Sequence, residues 1–164
     1  MRRYGVLMAV AAGVLALNPA PARADVPVPQ AGASCPAELT DVMTRLPDVG
    51  DFLVCQASGM WAPVLGPFDP ASRWLSYGAG ITLHGQGFRN PNLRSGLWTA
   101  APLDPSAVCS ADQVTVIGPG ELAPVVHSAG EAGQPLHLAV LPKLFTITMN
   151  GDCVWSEDLP PGLG

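Results

Sequence analysis

Glycine and proline interrupt this chain so often that they decide its fold class. Eighteen glycines and eighteen prolines stand among 164 residues. Because both residues end helices and mark turns, their density favours short strands joined by tight turns over a helical bundle. The length suits one domain. We therefore expect a mainly β or α+β domain, built as a small antiparallel β-sandwich or a partly open barrel.

The amino terminus has the three parts of a secretory signal peptide. Arg2 and Arg3 provide positive charge, residues 6–17 are apolar, and Ala22-Arg23-Ala24 fits the small-x-small cleavage rule. We expect residues 1–24 to be removed, 25–33 to form a mobile linker, and 34–164 to form a single secreted domain. The arginine pair leaves twin-arginine export open as the route. No later run approaches about 20 uncharged apolar residues, so no transmembrane anchor is expected in the mature form.

Cleavage changes the charge of the protein. It removes three of the eight basic residues and none of the thirteen acidic ones, which leaves five bases against thirteen acids and a net charge of −8. A nucleic-acid-binding protein needs a basic face, so this balance argues against nucleic acid as a partner.

The mature chain holds four cysteines: Cys35, Cys55, Cys109 and Cys153. An even number in an exported chain indicates two disulfides, with three connectivities open. The simplest pairs Cys35 with Cys55 and Cys109 with Cys153, because each bridge then lies within one half of the chain. Zinc-type spacing is absent, so the cysteines are not expected to bind metal.

Residues 34–56 are expected to form a helical unit held by a disulfide. The spacing i, i+3, i+4, i+7 is typical of an amphipathic helix, and four apolar residues follow it: Leu39, Val42, Met43 and Leu46. Pro47 ends this pattern, and the apolar stretch 52–55 would bring Cys55 back to Cys35. The pattern predicts a helix packed over a sheet, with a partner-binding helix as the alternative.

Residues 57–80 combine proline and glycine with large apolar residues. This density forbids a long helix or a central strand. The large side chains are expected to cover the core, and an exposed recognition surface is the alternative. Trp61, Phe68 and Trp74 would then line an apolar groove, and Arg89 and Arg94 would bind an anionic headgroup or carboxylate beside it. These five residues are the candidate ligand-binding residues.

Residues 81–158 have the pattern of short strands. Apolar and polar residues alternate over 81–84 and 136–140, and Gly118-Pro119-Gly120 marks a turn. Asn150-Gly151 predicts a type I′ hairpin that sets Ile147 opposite Val154. The aliphatic face would then lie opposite the Cys153 and Trp155 face, which requires either two covered faces or a bulge.

The carboxy-terminal half contains, in order, Gly96-Leu97-Trp98-Thr99, Cys109, Phe145-Thr146 and Cys153-Val154-Trp155. In these residues it resembles secreted mycobacterial and other actinobacterial β-domain proteins of unknown function. The resemblance covers about 60 residues. It implies a Cys109–Cys153 bridge and an envelope location, and it implies no activity.

Catalytic motifs are missing from the sequence. It contains no nucleophile elbow, Walker loop or zinc-protease motif, and Gly85-Gln86-Gly87 is expected to be a turn. His127 and His137 would face each other across a hairpin. With Asp112 or Glu131 nearby, they would form a metal-binding or proton-transfer site. Neither spacing nor composition requires such a site, so no catalytic residue, cofactor or metal is predicted.

Absent catalytic motifs and an aromatic-rich segment together favour a binding protein. We expect a secreted or cell-envelope protein that works without catalysis by binding an apolar or envelope ligand, such as a lipid or glycan, or a protein partner. A small secreted hydrolase and a structural accessory protein of an envelope assembly are the alternatives.

Overall fold

The computed structural model describes residues 27–47, 50–78 and 80–158, and the predicted signal peptide lies outside these ranges. The only helical element in them is a 3₁₀ helix, Ala37–Leu39, and no helix of the described residues is long and apolar enough to cross a membrane. The strands in chain order are β1 Met43–Arg45, β2 Phe52–Cys55, β3 Trp61–Val64, β4 Arg73–Ser76, β5 Ile81–His84, β6 Gly96–Pro102, β7 Ser110–Gly118, β8 Glu121–Leu122, β9 Val126–Ala129, β10 Leu136–Val140, β11 Leu144–Asn150 and β12 Cys153–Glu157.

These strands form two sheets, which confirms the mainly β fold class. One sheet has seven strands in the order β10-β6-β12-β4-β1-β2-β3. The other has the order β5-β11-β7-β8, with β9 also pairing with β7. Neither sheet closes on itself within the described residues. The pairing of β1 with β4 is parallel, so the expectation of a purely antiparallel fold is wrong at that one pair.

Both sheets contribute to one hydrophobic core. The seven-stranded sheet buries Trp74, Trp98 and Trp155, and the five-stranded sheet buries Leu83 and Ile147, each with no exposed surface. The alternation predicted for β5 and β10 is confirmed, because Ile81, Leu83, Leu136, Leu138 and Val140 are buried and the residues between them are not. The predicted turn at 85–87 is also present.

The hairpin predicted at Asn150-Gly151 is wrong. β11 pairs with β5 and β7, whereas β12 pairs with β4 and β6, so the chain crosses from one sheet to the other at these two residues. A hairpin would have placed the buried side chains of β11 and β12 on opposite faces of one ribbon. The crossing instead lets Ile147 and Trp155 enter the same core.

Both disulfides have the simplest connectivity, as predicted. Cys35 and Cys55 join the start of the described domain to the end of β2, across 20 residues. Cys109, which precedes β7, joins Cys153 at the start of β12, across 44 residues. The second bridge therefore links the two sheets next to the crossing.

The helix predicted from the region of Pro36 to Pro47 does not form beyond the 3₁₀ helix Ala37–Leu39. Asp41 has a φ of 63°, which a right-handed helix does not allow. Its N–H donates to the carbonyl of Cys55, and the N–H of Cys55 donates to the carbonyl of Val42. Pairing with the disulfide-linked strand thus overrides the local helical pattern. The apolar residues at 39, 42 and 43 are buried all the same, so the spacing marked the core correctly but not the backbone conformation.

The 57–80 segment covers the core in part, since Trp61, Trp74 and Tyr77 are buried but Met60 and Leu65 are exposed. It nevertheless contains a central strand, β4, between β12 and β1. Pro63 lies in β3, at the edge of the sheet, where a missing N–H is tolerated. The end of the segment predicted as a mobile linker is anchored along β3, because Gly32 donates to the carbonyl of Trp61 and Trp61 donates to that of Ala33.

We expect the crossing to depend on glycine at position 151. Gly151 has a φ of 86°, and an added Cβ would lie 2.1 Å from the carbonyl oxygen of Val108. Gly120 has a similar φ of 73° but no heavy atom within 4 Å of the added Cβ. Gly120→Ala should cost about 1 kcal/mol for the left-handed backbone, and Gly151→Ala about 3 kcal/mol because of the added clash. Urea denaturation measures both losses, and equal losses would contradict this account.

Removal of the two disulfides should have unequal effects. On the chain-entropy model the loop of 44 residues contributes about 4 kcal/mol and the loop of 20 residues about 3 kcal/mol to the free energy of unfolding. Paired replacement of Cys109 and Cys153 by serine should therefore destabilise the protein more than paired replacement of Cys35 and Cys55. Denaturation of the two variants under identical conditions compares the losses, and the reverse order would refute the prediction.

Candidate functional site

A cavity of about 460 Å³ lies where the two sheets meet, which is within the size range of small-molecule sites. Its walls come from the end of β1, the start of β2, the β3–β4 loop, the end of β5 and the loop after β5. The lining residues are Arg45, Phe52, Gly66, Pro67, Phe68, His84, Phe88, Arg89, Asn90 and Asn92. We call it the Arg45 cavity.

Arg45 is held in place by contacts to both sheets. Its Nη1 donates to the carbonyl of Thr82 in β5, and its own carbonyl accepts a hydrogen bond from the hydroxyl of Tyr77 at 2.6 Å. The guanidinium carbon lies 5.9 Å from the centre of the Phe52 ring. Nε is buried and has no hydrogen-bond partner among the described residues. The guanidinium group is thus fixed but not fully satisfied.

Positive charge in the Arg45 cavity is not neutralised within the described part of the chain, where neither Arg45 nor Arg89 forms an ion pair with a carboxylate. Arg94, by contrast, lies 3.6 Å from Glu157. Arg73 donates to the carbonyls of Thr40 and Glu38. The cavity is therefore a local basic site on an acidic protein.

His84 forms the wall between Arg45 and the loop after β5. The main chain of His84 is fixed by two hydrogen bonds to Asn92, both at 2.8 Å. The N–H of His84 donates to the side-chain oxygen of Asn92, and the N–H of Asn92 donates to the carbonyl of His84. The imidazole ring stacks on Phe88 with 4.1 Å between ring centres. Burial, and then the positive charge of Arg45, lower the pKa of His84. The imidazole is accordingly uncharged at neutral pH.

Phenylalanine rings line the Arg45 cavity. Phe52 and Phe68 meet edge to face with 5.0 Å between ring centres, and Phe52 also contacts the core residue Trp74 at 5.9 Å. Phe88 is 40% exposed at the other side of the cavity. Aromatic surface next to unpaired arginine is suited to a ligand with one anionic and one apolar part.

The five ligand-binding residues predicted from sequence do not share one groove. Phe68 and Arg89 both line the Arg45 cavity. Trp74 is buried beneath it, and Arg94 lies outside it in its ion pair with Glu157. Trp61 lines a different cavity of about 390 Å³, together with residues such as Pro29 and Leu75.

The two histidines predicted to face each other lie in different sheets. β9 pairs with β7 and β10 pairs with β6, so the hairpin expected between them does not form. His127 contacts Asp112 through Nδ1 at 2.7 Å, and His137 contacts Thr99 through Nδ1 at 2.9 Å. Within the ranges that the structure describes, no group of three or more His, Cys, Asp or Glu residues is placed to hold a metal ion.

Sequence reasoning missed Arg45, Phe52, His84 and Phe88 as site residues. The helical spacing of the apolar residues at 39, 42, 43 and 46 would turn Arg45 towards the polar side of a helix, but no such helix forms. The two phenylalanines lie in separate parts of the chain. The sequence signal that could have identified them is the scarcity of basic residues, because only five Lys and Arg residues follow residue 24 and few of them could form an anion site.

Comparison with known proteins gives no relative on which to base a function. No protein-family model matches the chain, and neither the curated proteins nor the solved structures give a significant match. The site is therefore interpreted from its own geometry.

We expect Arg45 to control the ionisation of His84. Arg45→Gln should raise the pKa of His84, because it removes a positive charge that opposes protonation, while burial still holds that pKa below its usual value. Arg94→Gln is the matched control and should leave His84 unchanged, since Arg94 pairs with Glu157. An NMR pH titration of the His84 ring measures both effects. An unchanged His84 in Arg45→Gln would show that the two groups are not coupled.

Proposed function

We propose that this is a secreted or cell-envelope protein that acts without catalysis, by binding a ligand with an anionic group and an apolar part in the Arg45 cavity. The observation that carries the proposal is Arg45 itself. It lines the cavity without a carboxylate partner among the described residues, and its guanidinium carbon lies 5.9 Å from the centre of the Phe52 ring.

An anion in the cavity would meet the guanidinium group of Arg45, which lines it. A carboxylate or phosphate oxygen is the acceptor that a guanidinium group binds best. Arg89 lines the same cavity, so two positive charges act on one ligand group. The protein is negatively charged overall, so an anion is attracted to this basic cavity and not to the surface in general.

The ligand also needs an apolar part. Phe52, Phe68 and Phe88 line the cavity, and their rings gain contacts and lose water only if apolar surface packs against them. A small inorganic anion would leave this surface uncovered.

Export is supported by chemistry as well as by the amino-terminal pattern. All four cysteines are paired, and disulfides persist in oxidising compartments. The resemblance to secreted actinobacterial β-domain proteins belongs to the same proposal. The shared core of the two sheets supports the interpretation of the fold as a β-sandwich. No observation specifically favours the hydrolase or the structural accessory protein.

Hexanoate and hexanamide test the proposal, because they differ in charge and hardly in shape. The purified protein should bind hexanoate at least about tenfold more tightly than hexanamide, as measured by NMR titration, because a charge-assisted hydrogen bond contributes about 1.5–3 kcal/mol. Arg89→Gln should reduce this preference, because Arg45 alone then acts on the anion.

Arg94→Gln serves as the control, since Arg94 lies outside the cavity. Equal binding of hexanoate and hexanamide would refute the proposal. An equal loss of the preference for hexanoate in Arg89→Gln and Arg94→Gln would also refute it.

A further inference from the structure

A third cavity, of about 400 Å³, lies on the other side of the turn at 85–88 from the Arg45 cavity. Its lining residues are Gly87, Val116, Gly118, Pro119, Gly120, Glu121, Leu122 and Phe145. We call it the Leu122 cavity, after a side chain that is 46% exposed.

Phe88 joins the two cavities. Its ring lies 4.1 Å from the His84 ring in the Arg45 cavity and 5.2 Å from the Phe145 ring in the Leu122 cavity, measured between ring centres. A ligand that leaves the Arg45 cavity across Phe88 thus meets Phe145 next. Aromatic surface is continuous along this path.

The turn at 85–88, which lies between the two cavities, packs closely against the start of β11. The N–H of Gly87 donates to the carbonyl of Leu144 at 2.7 Å, and an added Cβ on Gly87 would lie 2.3 Å from the carbonyl oxygen of Lys143. Only glycine permits this approach. Phe88 is therefore the side chain that separates the two cavities, and a ligand that occupies both has to pass over its ring.

Phe145 reaches this surface because β11 is irregular. The register between β11 and β7 shifts between Leu144 and Thr146, and Leu144 takes the buried position. Without the shift, alternation would turn Phe145 to the same side as the buried Ile147 and Met149. The irregularity thus places an aromatic ring in the wall of the Leu122 cavity.

Charge distinguishes the two ends of the path. Two arginines line the Arg45 cavity, whereas the titratable residue in the lining of the Leu122 cavity is Glu121. An anionic group is attracted to the first cavity and repelled from the second. The apolar walls of the second cavity are suited to an uncharged chain.

We propose, on the basis of the proposed function, that the ligand is a single-chain anionic amphiphile. Its headgroup lies between Arg45 and Arg89, and its alkyl chain crosses Phe88 and ends in the Leu122 cavity. A carboxylate and a phosphate headgroup share the chemistry that the arginines recognise.

Chain length tests this proposal separately from anion binding. Decanoate, kept below its critical micelle concentration, should bind at least about tenfold more tightly than hexanoate, because each buried methylene contributes up to about 0.8 kcal/mol. Leu122→Ser should remove most of this gain and leave hexanoate binding unchanged. Ile117→Ser is the matched control, because Ile117 is a more exposed apolar residue of β7 that lines neither cavity.

Each outcome of this series has a distinct meaning. Hexanoate binding without a gain for decanoate would overturn the amphiphile and leave the proposed function standing, whereas absent binding of both acids would overturn both. An equal loss of the decanoate gain in Ile117→Ser and Leu122→Ser would also overturn the proposal that the alkyl chain ends in the Leu122 cavity. Decyl phosphate, measured alongside decanoate, identifies the headgroup: tighter binding of either one assigns it, and equal binding assigns the shared anionic chemistry.

Discussion

The crossing at Asn150-Gly151 determines how the two sheets meet. The Cys109–Cys153 bridge lies beside it, and the main chain of Val108 packs so closely on Gly151 that no side chain fits there. Because β11 and β12 lie in different sheets, their buried residues enter one core from two sides. Gln113 adds a second link, since its side chain accepts from the N–H of Leu141 and donates to the carbonyl of Ala139.

The Arg45 cavity follows from this arrangement. β5 is an edge strand of the five-stranded sheet, and it lies next to β1 of the seven-stranded sheet. Arg45 bridges this junction by donating to the carbonyl of Thr82, so one of its donors is used to join the sheets. Arg45 also lines the cavity at this junction, where the proposed anion would bind. The same arginine therefore has a structural role and a proposed binding role.

Local patterns predicted the strands better than their pairing. Alternation located β5 and β10, because it depends on neighbours in the sequence. The simplest disulfide connectivity is also correct, although its bridges span 20 and 44 residues. The hairpin at Asn150-Gly151 and the helix at 39–46 are wrong, because contacts between distant residues override turn and helix propensities there. The candidate site was predicted only in part for the same reason. Two of the five predicted residues, Phe68 and Arg89, line the cavity, but Arg45 reaches it only through the pairing of β1.

The NMR signal of the Arg45 Nε–Hε group tests the central claim most directly. This account predicts that the signal shifts during a titration with decanoate, while that of Arg73, which is bonded to the carbonyls of Thr40 and Glu38, stays in place. Binding of decanoate with an unmoved Arg45 signal would contradict the account, because the anion would then lie somewhere other than the junction of the two sheets.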